Sequence, residues 1–341
     1  MRILVTGGAG YIGSHACVEL INSGYEVVIV DNFCNSSLES IKRIEKLTNT
    51  TIPFYELNIG VKVDIIRVFE EQQIDGVMHF AGLKSISDSI TRPIDYYNNN
   101  VSNTIYLLEV MRQFNCKIFV FSSTASIYGD SKVQPISENF PLSPSNPYGR
   151  SKLVVENILK DILVSEDGWM IALLRYFNPI GAHASGIIGE SSLQAPNNLM
   201  PLVLDVASGK QKKLKIFGDD YPTHDGTGVR DYIHVTDLAK AHVKVLQAII
   251  SGMNLIEVNI GTGRGYSVFD LIKTFELTSG IAIPYEIIPR RSGDVAICYA
   301  DVSKAEKLLG WKAELGLRDM CIDAWRWQSM SPKANNSKAK P

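Results

Sequence analysis

The chain opens with Arg2-Ile-Leu-Val-Thr-Gly-Gly-Ala-Gly-Tyr-Ile-Gly-Ser-His15, the stretch that decides its fold. Ile3 to Val5 predict a buried strand, and Gly7, Gly10 and Gly13 follow at intervals of three residues, where a helix begins. Glycines let the backbone approach a phosphate closely, and the N–H groups at a helix start favour its negative charge. The stretch therefore predicts a turn that holds a pyrophosphate.

The residues after this turn support a dinucleotide site. An amphipathic helix over 14–22 leads to a second apolar strand, Glu26-Val-Val-Ile-Val30, and Asp31 stands 18 residues after Gly13. A carboxylate about 20 residues after the glycines accepts hydrogen bonds from an adenosine ribose. A 2′-phosphate would meet the negative Asp31, so the pattern favours NAD over NADP. For Asp31 taken alone, the alternative interpretation is a residue that caps a strand end.

Composition places the chain among ordinary globular proteins. With 341 residues, 45% hydrophobic and 21% charged, it is long enough for two lobes, and neither disorder nor a membrane protein is indicated. A net charge of −2 gives no electrostatic footprint for nucleic acid, and no apolar run approaches a transmembrane length. A core strand at residue 3 leaves no room for a signal peptide, so the expected location is the cytoplasm.

The cysteines, at positions 17, 34, 116, 298 and 321, are scattered along the chain without C-x-x-C spacing. Because their number is odd, the sequence predicts neither a disulfide framework nor a zinc site, and no metal is expected. Most of them are predicted to be reduced core thiols.

Strand-like and helix-like stretches alternate through the first half of the chain. Predicted strands at 53–57, 76–80 and 117–121 are apolar on both faces, and the longest predicted helix runs from 96 to 114. This alternation predicts an α/β fold, a doubly wound parallel Rossmann sheet that binds ligands at the carboxyl ends of its strands. Past residue 180, Pro and Gly residues predict a smaller, mixed α/β lobe.

The two lobes are predicted to interleave in sequence. Residues 1–178 form the predicted NAD-binding domain, with 232–260 packing back onto it. Residues 179–231 and 261–330 form the predicted substrate lobe. The last residues, 331–341, are polar and lysine-rich with nothing to bury, and they are predicted to be a flexible tail.

Hydroxyl residues and a Tyr-x-x-x-Lys pair supply the candidate chemistry. Ser122-Ser-Thr124 follows the strand at 117–121, and Tyr148 and Lys152 stand four residues apart on a predicted helix, so they share one face. A phenol with a pKa near 10 is a poor base, but an adjacent ammonium and a positive nicotinamide both favour the phenolate and lower that pKa. Tyr148 is therefore the candidate base for oxidising an alcohol with NAD, and Thr124 the residue that places the hydroxyl.

Together these motifs resemble the extended short-chain dehydrogenase/reductase superfamily. The segments His79-Phe-Ala-Gly-Leu-Lys84, Leu174-Arg-Tyr-Phe-Asn-Pro179 and Gly226-Thr-Gly-Val-Arg-Asp-Tyr-Ile-His-Val235 more closely resemble the UDP-glucose 4-epimerase family, and the likeness runs from residue 1 to about 330. The resemblance implies that carbon 4 of a UDP-hexose is oxidised to a ketone on tightly bound NAD, the sugar turns, and hydride returns to the opposite face.

The resemblance also implies roles for individual residues. The catalytic residues that it implies are Tyr148, Lys152 and Thr124. The residues that it implies for NAD are Gly7, Gly10, Tyr11, Ile12, Gly13, Asp31, Asn32, Asn35, Ser36, Asn58, Ile59, Phe80, Ala81, Lys84, Asn99, Tyr148, Lys152 and Phe177. The residues that it implies for the UDP-sugar are Lys84, Thr124, Tyr148, Asn178, Asn198, Leu199, Phe217, Arg230, Arg291, Asp294 and Cys298.

Three positions depart from the family's usual pattern. Thr124 replaces a serine, so the hydroxyl is kept and a methyl is added. Asn58 replaces an aspartate that meets the adenine amino group, and its carbonyl is expected to accept that hydrogen bond. Cys298 stands where members restricted to plain hexoses carry tyrosine, and its small size predicts that UDP-GlcNAc and UDP-GalNAc are substrates too. The alternative for Cys298 is a core residue with no effect on specificity.

Other functions compete with this interpretation. A 4,6-dehydratase would need an acid pair after the strand-end threonine, where this chain has Ala125-Ser126. A UDP-glucuronate 4-epimerase would need an extra cation for the carboxylate, which the sequence excludes only weakly. A catalytically dead NAD-sensing regulator would have no need of Tyr148 and Lys152. The resemblance also implies a homodimer, paired through helices near 96–114 and 152–163 as a four-helix bundle.

Overall fold

The computed structural model describes residues 1–131, 133–191, 196, 198–291 and 294–330. The predicted tail at 331–341 lies outside the described residues. The strands are β1 (Arg2–Thr6), β2 (Glu26–Asp31), β3 (Phe54–Glu56), β4 (Gly76–His79), β5 (Ile118–Thr124), β6 (Met170–Tyr176), β7 (Asn178–Ile180), β8 (Leu214–Phe217), β9 (Val229–Arg230), β10 (Tyr232–His234), β11 (Leu255–Ile260), β12 (Tyr266–Ser267), β13 (Tyr285–Ile288) and β14 (Ile297–Cys298).

Helices alternate with these strands. They are α1 (Tyr11–Asn22), α2 (Leu38–Thr48), α3 (Lys62–Gln72), α4 (Ile86–Thr91), α5 (Pro93–Tyr97), α6 (Asn103–Gln113), α7 (Pro147–Ser165), α8 (Leu199–Ala207), α9 (Val235–Ile250), α10 (Val268–Ser279), α11 (Ser303–Leu309) and α12 (Leu317–Met330), with a π-helical turn at Asn98–Ser102 and a 3₁₀ turn at Ala125–Tyr128. Among the helices of the described residues, none has the length and apolar character needed to cross a bilayer.

The main sheet has the order β11-β6-β5-β4-β1-β2-β3, and its strands pair in parallel. Alternate residues of β1 enter different apolar clusters, because Ile3 and Val5 join the cluster that contains α1 and α9 residues, whereas Leu4 joins the one that contains α3 and α6 residues. Both faces are thus covered, as parallel sheets require. The strand order reverses beside β1, between β1 and β4, which is where such sheets bind ligands. The predicted doubly wound sheet is confirmed.

The remaining strands form small sheets. These are β10 with β7, β12-β9-β14, and β13 with β8, and they adjoin a third apolar cluster that includes Leu204, Phe275 and Met320. The capping box of α10 begins its helix here, with Ser267 and Asp270 each bonding the other's backbone N–H. β11 itself lies in the main sheet, beside β6. The domain boundaries taken from the sequence stay a prediction.

Two expectations about element ends were wrong. The long helix expected over 96–114 is divided by the π-helical turn, which brings Asn99 and Asn100 to one backbone N–H, that of Leu83, at 3.1 and 2.8 Å. Strand β5 does not stop at residue 121, because its last three residues pair with β6 from Leu174 to Tyr176. Thr124 is therefore the end of a strand and not part of a loop.

Most of the cysteines are buried free thiols, as expected. Cys17, Cys116 and Cys321 are buried, Cys298 is half-buried and Cys34 is exposed. Burial raises the pKa of the Cys116 and Cys321 thiols to about 12, so these groups are neutral and unreactive at physiological pH.

Candidate active site

The glycine turn closes tightly on itself at the end of β1. Gly7 donates its N–H to Val30 O at 2.8 Å, and Gly10 donates to Gly7 O at 3.1 Å. A Cβ on Gly13 would lie 2.2 Å from Gly7 O, and one on Gly7, whose φ is +69°, would lie 2.7 Å from Ala81 N. Both positions require glycine, because any side chain would push the strand and helix apart. The backbone at the start of α1 is thereby left free for an anion.

Asp31 joins this turn to the loop that follows β2. Its carboxylate accepts hydrogen bonds from Ala9 N at 3.0 Å, Phe33 N at 2.9 Å and Ser36 Oγ at 2.8 Å. The side chain is only 9% exposed, and these bonds fix it at the end of the strand. The loop also turns on Asn32, whose Oδ1 accepts from Cys34 N at 3.1 Å. The arrangement suits a ribose approaching the strand end.

The other residues expected at the cofactor lie along neighbouring strand ends. The Phe80 ring contacts His242 in a tilted arrangement, with 4.8 Å between ring centres, and Lys84 forms an ion pair with Glu190 at 3.2 Å. Asn58 follows β3, and its Oδ1 accepts from Gly60 N at 2.9 Å, so the carbonyl expected to meet adenine already has a local donor. Ile59, Ala81 and Phe177 are apolar residues packed in the clusters beneath these positions.

Tyr148 and Lys152 lie on α7, at the carboxyl end of β5. Asn146 begins this helix, because its side chain accepts from Gly149 N at 2.9 Å and Pro147 occupies the first turn. Lys152 is buried, donates from Nζ to Ser122 O at 2.9 Å, and lies 4.8 Å from the centre of the Phe121 ring. The structure thus brings the expected pair to the strand that ends in Thr124.

Burial controls the protonation of this pair within the chain. It raises the pKa of Tyr148 to about 12, while the nearby Thr124 hydroxyl acts in the opposite direction. It lowers the pKa of Lys152 to about 8, because burial disfavours the charged ammonium. Burial thus holds the pKa of Tyr148 above its ordinary value, and the lowering expected from the Lys152 ammonium together with a positive nicotinamide stays a prediction.

A buried ion pair behind these residues was missed from the sequence. Arg175 on β6 binds Glu156 on α7 at 2.7 Å and 3.1 Å through two nitrogens, and both side chains are at most 2% exposed. Glu156 also accepts from Ser123 Oγ at 2.5 Å, one residue before Thr124. The pair therefore ties α7 to β5 and β6. An arginine within an apolar strand, with a glutamate four residues after Lys152, was the available signal.

The residues expected for the UDP-sugar come from distant segments. Arg291 stacks on the Phe217 ring, with 4.1 Å between Cζ and the ring centre. Arg230 on β9 faces Asp294, with 3.7 Å between Nη2 and Oδ1. Cys298 pairs in register with Arg230 across β14 and β9. These five residues line one region of the small lobe, with a carboxylate, two guanidinium groups and an aromatic ring available to a nucleotide.

Cys298 connects this region to the catalytic strand. It packs against the apolar cluster that contains Phe177 and Ala125, the residue after Thr124. Burial raises the pKa of its thiol to about 11, so the group is neutral at pH 7 and acts through its size. Asn178 directly follows Phe177 and donates its backbone N–H to Asp231 O at 3.0 Å. Asn198 and Leu199 lie at the start of α8, and the neighbouring residue 197 lies outside the described residues.

One histidine-carboxylate cluster occurs in the described part of the chain. Ligand atoms of His224, Asp225 and Asp270 lie within 4.8 Å of one another. Asp225 accepts from Thr227 and Ser267, and Asp270 caps α10, so both carboxylates have structural roles. The cluster adjoins the start of α10 and is distant in sequence from Tyr148 and Lys152.

These features define a class of protein. A glycine turn, a ribose-type carboxylate and a Tyr-x-x-x-Lys pair at one edge of a parallel sheet form the site of an NAD-dependent short-chain dehydrogenase/reductase of the extended type. The residues fit a dinucleotide, because Gly7 and Gly13 let β1 and α1 meet closely enough to present the N–H groups of the helix start, and Asp31 stands at the neighbouring strand end.

Comparisons with known proteins narrow this class. A family model described as GDP-mannose 4,6 dehydratase matches residues 4–324. The UDP-glucose 4-epimerase of Bacillus subtilis is 52% identical, over 96% of this chain and 97% of its own. A solved UDP-glucose 4-epimerase from Stenotrophomonas maltophila, with NAD and a formylated UDP-arabinopyranose, has a TM-score of 0.94 at 49% identity, over 96% and 98% of the chains. Another, from Bifidobacterium longum with NAD⁺ and UDP, has a TM-score of 0.93 at 50% identity, over 97% and 99%.

The chain belongs to the UDP-glucose 4-epimerase family, within the extended short-chain dehydrogenase/reductases. The dehydratase description of the wider family model does not extend to this site. Ala125 and Ser126 occupy the 3₁₀ turn directly after Thr124, where an eliminating enzyme would need its acid pair.

Proposed function

We propose that this chain interconverts UDP-glucose and UDP-galactose on tightly bound NAD. The observation that carries the proposal is the position of Lys152, buried and bonded to Ser122 O at 2.9 Å, on the helix that also carries Tyr148 and beside the strand that ends in Thr124. An alcohol placed between these three side chains would meet a base, a cation and a hydroxyl. These three groups suit the oxidation of an alcohol to a ketone and the reduction of that ketone back to an alcohol.

In this mechanism each side chain has one task. Tyr148, as phenolate, accepts the proton of the sugar's 4-hydroxyl and returns it after the sugar has turned. Lys152 stabilises the phenolate with its positive charge, and the Thr124 hydroxyl holds the substrate oxygen in place. When bound, NAD supplies the hydride acceptor and donor together with a positive charge beside the phenol. Proton and hydride leave the same carbinol and return to the resulting ketone, so the reaction is redox-neutral.

The nucleotide serves as the fixed handle while the sugar turns. Arg230 and Arg291 would bind the diphosphate and Asp294 the uridine ribose, with Phe217 as the apolar wall. Asn178, Asn198 and Leu199 complete this proposed UDP site. Binding energy from an unreactive group is a sound way to hold a ligand whose reactive end moves.

The size of the residue at position 298 bears on whether N-acetylated UDP-sugars are also substrates. Cys298 is half-buried and packs with Phe177, so the residue at this position limits the room beside the reacting sugar. A thiol leaves space for an acetamido group at carbon 2 that a tyrosine would fill. UDP-GlcNAc and UDP-GalNAc are therefore proposed as additional substrates.

An assay without added NAD tests these proposals together. Purified protein is incubated with UDP-glucose, UDP-galactose, UDP-GlcNAc and UDP-GalNAc, and the 4-epimers are quantified. Tyr148→Phe should lower kcat by about 10³-fold while bound NAD is retained. Cys298→Tyr should suppress conversion of the N-acetyl pair and spare the plain pair. No conversion of any UDP-sugar by protein that holds NAD would favour a sensor, and no conversion of UDP-GalNAc would reject the finer proposal.

A second copy of the chain is the proposed partner. Tyr97, Ile105 and Tyr106, from α5 and α6, and Val154 on α7 are each more than a third exposed. Apolar side chains on adjacent helices suit a four-helix bundle across a dimer axis. Tyr106→Glu should shift the mass measured by light scattering from dimer to monomer. The cytoplasmic location stays a prediction that microscopy of a tagged chain would test.

A further inference from the structure

A cavity of about 150 Å³ opens beside the glycine turn, between the two ends of the chain. One wall consists of Ala9, Tyr11 and Ser36, of which the last two were assigned to NAD from the sequence. The lining also includes residues that no motif had indicated, chiefly Arg43 and Trp327. The cavity therefore combines the dinucleotide turn with a second surface that belongs to other parts of the fold.

Arg43 brings a positive charge to this cavity. It lies on α2, and its side chain is 22% exposed. Its Cζ lies 4.9 Å from the centre of the Trp327 ring, and its Nε donates to Glu39 Oε1 at 3.0 Å. The guanidinium is thus held between an indole and a carboxylate, which fixes its plane and leaves its other N–H groups for an acceptor.

Trp327 is itself held rigidly. It is 6% exposed, and its Nε1 donates to Glu190 O at 3.1 Å. The ring lies directly on Gly189, where a Cβ would come within 2.4 Å of it. Glu190 also binds Lys84, one of the residues expected at the cofactor, at 3.2 Å. The indole therefore connects helix α12 to the loop that carries Glu190, the ion-pair partner of Lys84.

We propose that Arg43 and Trp327 act together as a clasp that retains NAD. The clasp, meaning these two side chains, puts a partly desolvated guanidinium in the same cavity as Ala9 and Tyr11 of the glycine turn. Glu39, which also lines the cavity, binds the Nε of Arg43, and the two Nη groups are left for a phosphate oxygen. Contact of these groups with bound NAD would slow the release of the cofactor. This inference rests on the proposed function, in which NAD is the resident cofactor.

Arg43→Ala tests the clasp without disturbing a core residue. NAD that remains bound after prolonged dialysis is released by denaturation and quantified, and its rate of loss is followed over time. Loss about tenfold faster than in the wild-type protein is expected, in line with one cation–π contact and one charged contact. The matched control is Lys42→Ala, an exposed cation on the same helix, which should retain NAD at the wild-type rate. Equal retention in Arg43→Ala and the wild-type protein would overturn the proposal.

Trp327→Phe separates the clasp from a general loss of packing. Trp325→Phe is the control, since Trp325 lies on the same helix but contacts Phe275, with 5.9 Å between ring centres. Faster loss of NAD is expected only for Trp327→Phe, with the affinity for UDP within about twofold of wild type in both variants. Equal loss of NAD in both would assign the effect to the helix as a whole and reject the clasp. Wild-type protein that holds no NAD would instead refute the proposed function.

Discussion

The two ends of the proposed active site are built differently. At the cofactor end, Lys152 is 4% exposed and Asp31 is 9% exposed, and each is fixed by backbone hydrogen bonds near 3 Å. At the UDP end, the Arg230 and Asp294 side chains are 21% and 38% exposed and lie 3.7 Å apart. At these residues the first end is buried and held by hydrogen bonds, whereas the second is more exposed and more loosely paired.

This difference matches the demands on the two ligands. A prosthetic group that stays bound gains from a preorganised site, because its groups need no reordering on binding. A substrate that enters and leaves in every cycle gains from side chains that water can reach. Substitutions at the cofactor end should therefore change stability and NAD retention. Substitutions at the UDP end should change the affinity for the substrate.

The largest effect is expected at the buried ion pair. Glu156→Gln removes the carboxylate that binds the buried Arg175 guanidinium twice, and Glu257, at 3.0 Å, stays as its carboxylate partner. The substitution should therefore lower the free energy of unfolding by about 3 kcal/mol, the lower end of the cost of breaking a buried pair. Glu109→Gln is the control, because Glu109 pairs with Lys62 at the surface, and it should cost less than about 1 kcal/mol. Urea unfolding measures both. Equal losses of unfolding free energy in the two variants would show that the buried ion pair stabilises the fold no more than the surface pair does.

A smaller effect is expected from Lys152 and depends on pH. Its pKa is about 8 in the folded chain and 10.5 in the reference state, so between these values the unfolded chain binds more protons and stability rises with pH. In protein stripped of NAD, the free energy of unfolding of the wild type should rise by about 2 kcal/mol more than that of Lys152→Met between pH 7 and 9.5. Parallel unfolding curves for the two proteins across this window would contradict the burial of the charge.

Arg291 tests the open end. Arg291→Ala removes one charged contact to the diphosphate and should raise the KM for UDP-glucose about thirtyfold, with NAD retention unchanged. Arg290→Ala is the control, since Arg290 binds exposed Asp220 at 2.6 Å and stacks on Tyr221, and its KM should change less than about threefold. Loss of NAD in Arg291→Ala would mean that the two ends are coupled.

The smallest effect is expected from Thr124→Ser, and Thr124→Val is its matched variant. Thr124→Ser keeps the hydroxyl and removes the methyl, so kcat should stay within about threefold of wild type. Thr124→Val keeps the shape and removes the hydroxyl, and it should lower kcat by about 10²-fold. Steady-state rates for the two variants would separate these contributions. Wild-type kcat in Thr124→Val would show that the hydroxyl does not place the substrate.

Much of the cofactor end could be predicted from the sequence because its signals are local. The glycine turn, Asp31 and the Tyr148–Lys152 pair each occupy a short segment whose spacing fixes their relation on a strand or helix. Arg175 and Glu156 escaped prediction because their contact joins a strand to a helix, and no spacing rule links them. The π-helical turn within the 96–114 helix accompanies a tertiary contact, in which Asn99 and Asn100 share the N–H of Leu83.

The sequence by itself determined the parallel sheet, the dinucleotide turn and the family, since apolar runs and motif spacing depend on neighbours along the chain. Only the tertiary structure decided that burial raises the pKa of Tyr148, that Cys298 faces Arg230 across two short strands, and that Arg43 reaches Trp327. The physical reason is common to all three. Desolvation and long-range contacts depend on which segments meet in space, and a single sequence does not encode them in any local pattern.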